Sequence, residues 1–399
     1  MSLMLIALWQ AGKGLQKSYR ILSVSGISAL AVYTLNEGLR FGRGIDYNIY
    51  WQTYEQMEQG WVVDKDSLFV ALSKLLIYLG IPYQGEIMLM SFVYILSLLF
   101  FLRHFKDTAP LTIPLFVLFS LLQVENMVRW YLGFSFILIG LSFLLDRKQP
   151  HRIRWYIFFS IVASLFHFGL SVIPILYYLI SLRKTPLLTP ILTLALFYGI
   201  YILFEVDFML NFVDIIETYG QLYTFTESYA SNAEYWLTSG FFGLGASGVI
   251  RMTELFFLTL LVIIGHRCVK MTRNENYVYA YNLFIVGLLL YPISKKIELV
   301  IRFTQVFFFF RAIILSLIIY IYVIKKRLIV HEILIFIVGA VFLKYIAETY
   351  FIPPLSGDKT THRYMYVWDK SNNTADGMLQ KYHDERYKAL LRSSKYKQK

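Results

Sequence analysis

Cysteine is almost absent, with Cys268 the single one in 399 residues. That excludes an intramolecular disulfide and any metal cluster built on several thiolates. Charge is scarce as well: 16% of residues are Asp, Glu, Lys or Arg, where soluble domains carry about 25%. Acids are the rarer sign, 26 against 38 Lys and Arg, which leaves a formal net charge of +12. The chain also lacks a Walker lysine loop, a His-Glu-x-x-His pair and a Gly-x-Ser-x-Gly elbow, so three common chemistries have no signature here. Gly240, Gly243, Gly245 and Gly248 suit close helix packing rather than a nucleotide loop. No cleavable signal is expected, because Met1–Gln10 is short, has no charged start and ends in no small-residue site.

What is abundant is apolar. Hydrophobic residues make up 57% of the chain and mean hydropathy is +0.54, the composition of a polytopic membrane protein. Aromatics reach 18%, with side chains that favour bilayer interfaces and also offer flat faces to sugars or polyprenyl chains. The positive charge lies in short loops and in the tail after Tyr350. That distribution orients helices and does not form a nucleic-acid surface.

Apolar runs predict spans near Ile21–Asn36, Glu86–Leu102, Leu111–Val124, Val128–Leu145, Leu187–Phe204, Phe241–Gly265, Tyr277–Tyr291, Phe303–Ile324 and Ile329–Ile346. The segment Trp155–Leu182 is bracketed by Arg152 and Arg154 on one side and by Arg183 and Lys184 on the other, and His167 is its sole ionisable residue. Basic flanks mark the cytoplasmic side, so both ends belong together and the chain turns back near His167–Gly169. The all-α fold expected is therefore a bundle of roughly 10–12 transmembrane elements. The domain organisation expected is a membrane domain over residues 1–350 and a polar, basic tail over 351–399, the tail on the external side.

Lys and Arg set the orientation. Lys13, Lys17 and Arg20 place the N-terminus inside, and Arg103 with Lys106, the 147–154 cluster, Arg183-Lys184, Arg267-Lys270-Arg273 and Lys325–Arg327 join them. The acid-rich loops 37–66 and 205–239 then lie outside. Leu68, Phe69, Leu72, Leu76 and Leu79 recur at helical spacing, with Ser67 and Lys74 off that face. This predicts an interfacial helix on the outer leaflet, since one more span would reverse the charge pattern.

Four groups could carry chemistry. Arg40 and Arg43 flank Gly42 in a loop that Gly44 also keeps from being helical, and Asp46 follows as a helix cap. Tyr47, Tyr50, Trp51 and Tyr54 then fall on one helical stripe. The arrangement suits an anionic ligand beside an aromatic shelf; it equally suits a headgroup anchor. Glu125 and Arg129, four apart, could act on a ligand or simply pair on one helical face. His167 has no second ligand at i+3 or i+4, so no metal is expected, while a base or hydrogen-bond donor needs no such partner. Arg302 opens another span on the same side, and Arg251 and Arg311 lie deeper, where a charge requires a partner or a polar cavity. Arg40, Arg43, Arg129 and Arg302 thus converge on one side from distant points in the chain. The planar guanidinium fork suits pyrophosphate oxygens.

The order Arg40…Gly44-Ile-Asp46-Tyr47…Tyr50, Arg129, Ser164-Leu-Phe-His167…Ser171…Pro174 and Arg302 before an aromatic run resembles the EpsG-type family of Wzy-like exopolysaccharide and O-antigen polymerases, over roughly residues 20–350. The chain departs from that pattern at Trp130, where relatives often carry Gln. It departs again at Phe168-Gly169, where they tend to have Ser or Pro-Ser, and Met1–Gln10 is too short for the extra span with which many begin. The resemblance implies an enzyme of the bacterial inner membrane that joins undecaprenyl-diphosphate-linked oligosaccharide repeat units at the outer face. It implies no cofactor, a bilayer environment and a chain-length regulator as partner. In such a reaction Arg40, Arg43, Arg129 and Arg302 would bind the diphosphate, and Tyr47, Tyr50 and Trp51 the sugar or lipid. Asp46 or His167 would serve as base. A flippase or exporter of the same lipid-linked glycan, or a membrane O-acyltransferase, would ask for overlapping residues.

Overall fold

A computed structural model describes residues 2–40, 46–63, 65–205, 248–272, 274–294 and 298–325. Among these residues there is no strand, and the fold is all-α. Its helices are α1 (Ser2–Ser18), α2 (Val24–Gly38), α3 (Tyr47–Glu58), α4 (Ser67–Tyr78), α5 (Tyr83–Leu102), α6 (Ala109–Asn126) and α7 (Val128–Leu145). They continue with α8 (Arg152–Phe166), α9 (Val172–Ser181), α10 (Pro190–Glu205), α11 (Gly248–Thr272), α12 (Glu275–Ser294), α13 (Glu298–Phe308) and α14 (Arg311–Ile319). Among the described residues, six stretches are long and apolar enough to cross a bilayer: Tyr83–Phe105, Ala109–Asn126, Val128–Leu145, Met252–Thr272, Glu275–Ser294 and Val300–Lys325. The expected span at Ile329–Ile346, the loop at 205–239 past its first residue and the tail lie outside the described residues, as does Arg43.

Apolar composition alone does not hold such helices to one another in lipid, where tails are as apolar as Leu; close packing does. Gly12 of α1 shows this. A Cβ there would come within 2.5 Å of the backbone of Pro110 at the start of α6, so only glycine admits the contact. Gly287 plays the same part between α12 and α13, where a Cβ would meet the Phe308 amide nitrogen at 2.6 Å. Pro110 falls in the first turn of α6, where its missing N–H costs nothing, and Ser23 caps α2 by accepting from the Gly26 N–H at 3.3 Å.

Two ends of the bundle can be told apart. His104, just after α5, is 2.9 Å from Ser142 near the end of α7. Thr108, before α6, is 3.2 Å from the Tyr277 hydroxyl at the start of α12. Arg147 pairs with Glu275. These contacts gather the basic loops after α5 and α7 at one end, here called the basic end. The opposite end contains the α6–α7 reversal, the α8–α9 bend, α3 and α4, and is the site end. The segregation matches the pattern of Lys and Arg in the sequence.

The N-terminal expectation needs correction. Residues 2–18 form one helix that runs antiparallel to α2: Asn36, near the end of α2, reaches Met4 at 3.6 Å. The chain therefore starts at the site end and carries Lys13 and Lys17 to the basic end. Reading Met1–Gln10 in isolation hid this, because the polar Gly-Lys-Gly break at 12–14 interrupts the apolar run without stopping the helix. The short α4 is as expected: its 12 residues reach about 18 Å, too short to cross. Its packing differs in one respect. Ser73 is on the buried side, where its hydroxyl donates to Glu86 at 2.5 Å, so α4 meets α5 through a polar contact.

Candidate functional site

The α6–α7 junction organises the site end. Met127, with φ −102° and ψ 56°, breaks the helix, so Glu125 ends one helix and Arg129 begins the next. The i, i+4 pairing anticipated for these two residues is replaced by something else. Arg129 Nη1 is 2.9 Å from Asp66, both side chains less than a fifth exposed. The other Asp66 carboxylate oxygen accepts from the Phe168 N–H at 3.1 Å, which ties the hairpin bend to the same pair. Asp66 stands at the N-cap position of α4 but makes no capping bond there. In a sequence it reads as an ordinary helix cap, and its partners lie 63 and 102 residues away, so no local pattern points to it.

The hairpin turns where the charge pattern places it. Helix α8 ends at Phe166, a 3-10 turn covers Phe168–Leu170, and α9 begins at Val172. His167 is the C-cap of α8, and its Nδ1 accepts from the Gly169 N–H at 3.1 Å. In a neutral imidazole that acceptor leaves the proton on Nε2, so the ring presents an N–H to its surroundings. The charges acting on it are Arg129, Asp66 and Arg302.

Trp130 and Gly169 belong to one packing unit. The Trp130 ring meets His167 edge to face at 4.9 Å and Phe303 at 5.8 Å. A Cβ on residue 169 would lie 3.1 Å from the Trp130 ring and 3.2 Å from His167, tighter than ordinary contacts. A glycine at 169 is what lets a tryptophan at 130 share the space beside the histidine.

Arg302, on α13, is half-buried and acts electrostatically on both Tyr50 and His167. Tyr50 receives the fields of Arg129, Asp46 and Arg302. Burial raises its hydroxyl above the ordinary value, with the two arginines opposing, so it stays protonated and able to donate. Asp46 sits at the start of α3, where its backbone N–H donates to the Asn126 side chain at 3.0 Å. It does not cap α3, because its backbone is in the αR region and its carboxylate makes no capping bond. The Asp46 carboxylate instead belongs to the charged group around Tyr50.

Arg40 departs from expectation. Rather than projecting from a loop, it is 1% exposed; its Nη1 is 3.5 Å from Glu37 and its Nη2 donates to the Glu125 carbonyl at 3.2 Å. A buried arginine with a carboxylate three residues earlier ties the end of α2 to the α6–α7 junction. The aromatic shelf is likewise mostly interior. Tyr47 is 1% exposed and gives its hydroxyl to Gln84 at 3.1 Å, while Trp51 stacks parallel to Tyr83 at 6.3 Å. Of the stripe, Tyr50 lies in the fields of Arg129 and Arg302, and Tyr47 in that of Arg40. Arg311, deep in the bundle, lies over the faces of Phe308 and Phe119, 4.1 and 4.5 Å from their centroids.

The site end thus brings together Asp46, Tyr50, Asp66, Arg129, His167 and Arg302 from five segments of the chain. Arg129 Nε and Trp130 Nε1 are buried there without a hydrogen-bond partner. Such donors, beside a guanidinium already oriented by a carboxylate, suit an anion with several oxygens. The fold and this cluster define a multi-pass helical membrane protein with an arginine-lined polar site at one end. The EpsG family matches residues 26–355, and the chain belongs to that family. No curated protein matches it. No solved structure matches it either.

Proposed function

We propose that this protein polymerises undecaprenyl-diphosphate-linked oligosaccharide repeat units into a cell-surface polysaccharide at the outer face of the bacterial inner membrane. Membership of the EpsG family supports a polysaccharide polymerase of the membrane. The observation that carries the specific reading is the placement of Arg129 and Arg302 around His167 and Tyr50.

In the reaction, a hydroxyl of the acceptor repeat unit attacks the anomeric carbon of the donor glycan. The bond from that carbon to the diphosphate breaks, and undecaprenyl diphosphate leaves with the electron pair. Negative charge develops on the departing diphosphate, where Arg129 and Arg302 stabilise it in a largely desolvated setting. Asp66 fixes the plane of the Arg129 guanidinium, so little reorganisation is needed during the step. His167 contributes Nε2–H as a further donor to the leaving group. With Nδ1 occupied by the Gly169 N–H, the base that takes the acceptor proton is Asp46. Activation resides in the donor diphosphate, so no nucleotide is needed. A chain-length regulator would act on the outer surface of this site.

Arg129→Ala and Arg302→Ala test the assignment in cells. Each is expected to lower polymer by about 100-fold or more, in line with the loss of a transition-state donor, while protein in the membrane stays at the parental level. Full-length polymer in both variants would remove the diphosphate role.

A further inference from the structure

The basic end of the hairpin carries a second built feature. A cavity of about 350 Å³ opens between the end of α7, the start of α8, the end of α9 and the start of α12. Arg147, Arg152, Arg183 and Lys184 line it, against a single carboxylate, Glu275; four cations and one anion leave a surplus of three positive charges. Arg147 pairs with Glu275, and Arg152 donates to the Leu144 carbonyl at 3.3 Å, so both are held in place. Arg183 and Lys184 are exposed at its rim. Glu275 and Asn276, in the first turn of the 20-residue α12, also line the cavity, so the positive end of that helix dipole faces it.

A groove of about 630 Å³ runs between α8 and α9, and Ile153 and Tyr178 line both spaces, so the two adjoin. Its walls are apolar, formed by residues such as Ile157, Ile161 and Leu165 on α8 and Ile175 on α9. The Ser160 and Ser164 hydroxyls in it are committed to carbonyls one turn back, at 2.7 and 3.0 Å. Tyr156 closes the floor by donating to the Pro174 carbonyl at 2.5 Å across the two arms. Its lining on α8 runs from Ile153 to Leu165, so the groove extends along about 18 Å of helix.

We propose that this pair of spaces binds an anionic phospholipid of the inner leaflet, with its phosphate headgroup among Arg147, Arg152, Arg183 and Lys184 and an acyl chain in the α8–α9 groove. The charge surplus selects against a zwitterionic headgroup, and the contiguous apolar groove selects a lipid over a free phosphate. The polyprenyl chain of the glycan carrier is a poorer occupant, because its diphosphate belongs at the other end of the hairpin. Ranking the polyprenyl carrier below a phospholipid rests on the polymerase reading; the charge surplus and the apolar groove do not.

Native mass spectrometry of the purified full-length protein tests it, with phosphatidylglycerol, phosphatidylcholine of the same acyl chains, glycerol 3-phosphate and undecaprenyl diphosphate as probes. Phosphatidylglycerol is expected to bind roughly tenfold tighter than phosphatidylcholine, and the Arg183→Gln/Lys184→Gln variant to lose most of that preference. Both residues are exposed, so folding is not at issue. Ile161→Trp, a substitution at a lipid-facing position that fills the groove, is expected to weaken both phospholipids while leaving the protein folded by size-exclusion chromatography. Equal binding of the two phospholipids would overturn the proposal, as would an unchanged preference in the double variant. Displacement of phosphatidylglycerol by glycerol 3-phosphate, with Ile161→Trp silent, would reduce the site to a free-phosphate pocket and overturn it too. Competition by undecaprenyl diphosphate that Ile161→Trp abolishes, with the double variant silent, would assign the groove to the substrate chain instead.

Discussion

Both ends of the bundle collect arginines, and the difference between them is solvent. At the basic end, the Arg147–Glu275 pair is 56% and 36% exposed. At the site end, the Arg129–Asp66 pair is 17% and 18% exposed, and Arg40–Glu37 is 1% and 0%. Exposed pairs are screened and contribute little to stability. Buried pairs act in a low-dielectric setting in which each charge is strong and its loss is severe. The same residue type therefore does different work at the two ends, and burial with an assigned partner is what separates the roles.

The comparison also divides the site-end arginines among themselves. Arg40 is enclosed and holds structure, whereas Arg129 and Arg302 keep partial access to the space around His167. Arg40→Met should break this division most visibly. Leaving Glu37 buried without its partner is expected to cost about 3–5 kcal/mol of stability, read as loss of folded protein in detergent thermal unfolding. An Arg40→Met protein that keeps normal stability but makes no polymer would move Arg40 into the substrate site.

Asp66→Asn comes next in size. It keeps the shape but removes the charge that orients Arg129, and a loss of roughly tenfold in polymerisation rate is expected. In Asp66→Asn/Arg129→Ala the loss should equal that of Arg129→Ala alone, since residues in one network do not add. Additive losses would mean that Asp66 acts independently of Arg129.

His167 gives a sharper reading of roles. If Nε2–H is what matters, Gln can supply a donor, and His167→Gln should retain several times the rate of His167→Ala, within about tenfold of the parent. Equal inactivity of the two variants would return His167 to the role of base and release Asp46 from it. The smallest effect belongs to Gly169→Ala. Its Cβ presses on Trp130 and His167 by a few tenths of an ångström, so a rate loss of about two- to fivefold is expected, and Trp130→Gln should restore it. No rescue would show that the two positions are not coupled.

Much of the architecture was legible because it is periodic or compositional. Val128–Leu145 matches α7 at both ends, and the two basic patches around Trp155–Leu182 locate the hairpin and put His167 at its bend. The short helix α4 was legible from the helical spacing of Leu68, Phe69, Leu72 and Leu76. What could not be read is pairing between distant segments. Asp66 carries no local sign that it will meet Arg129 and Phe168, and Arg40 shows none that Glu125 will enclose it. Likewise, the break at Met127 is a single residue in an apolar run, and it decides that Glu125 and Arg129 point to different partners. The α1 helix is hard to read because Gly12-Lys13-Gly14 interrupts its apolar run. The close approach of Gly169 to Trp130, 39 residues apart in sequence, also has no local sign.

The most direct test of the polymerase account uses purified protein in lipid nanodiscs with a synthetic undecaprenyl-diphosphate repeat unit and no other protein. Products are sized on a gel. A ladder at multiples of the repeat, present in the parent and lost in Arg129→Ala and Arg302→Ala, is the result expected. Unchanged substrate with folded parental protein, or a ladder that survives in both arginine variants, would contradict it.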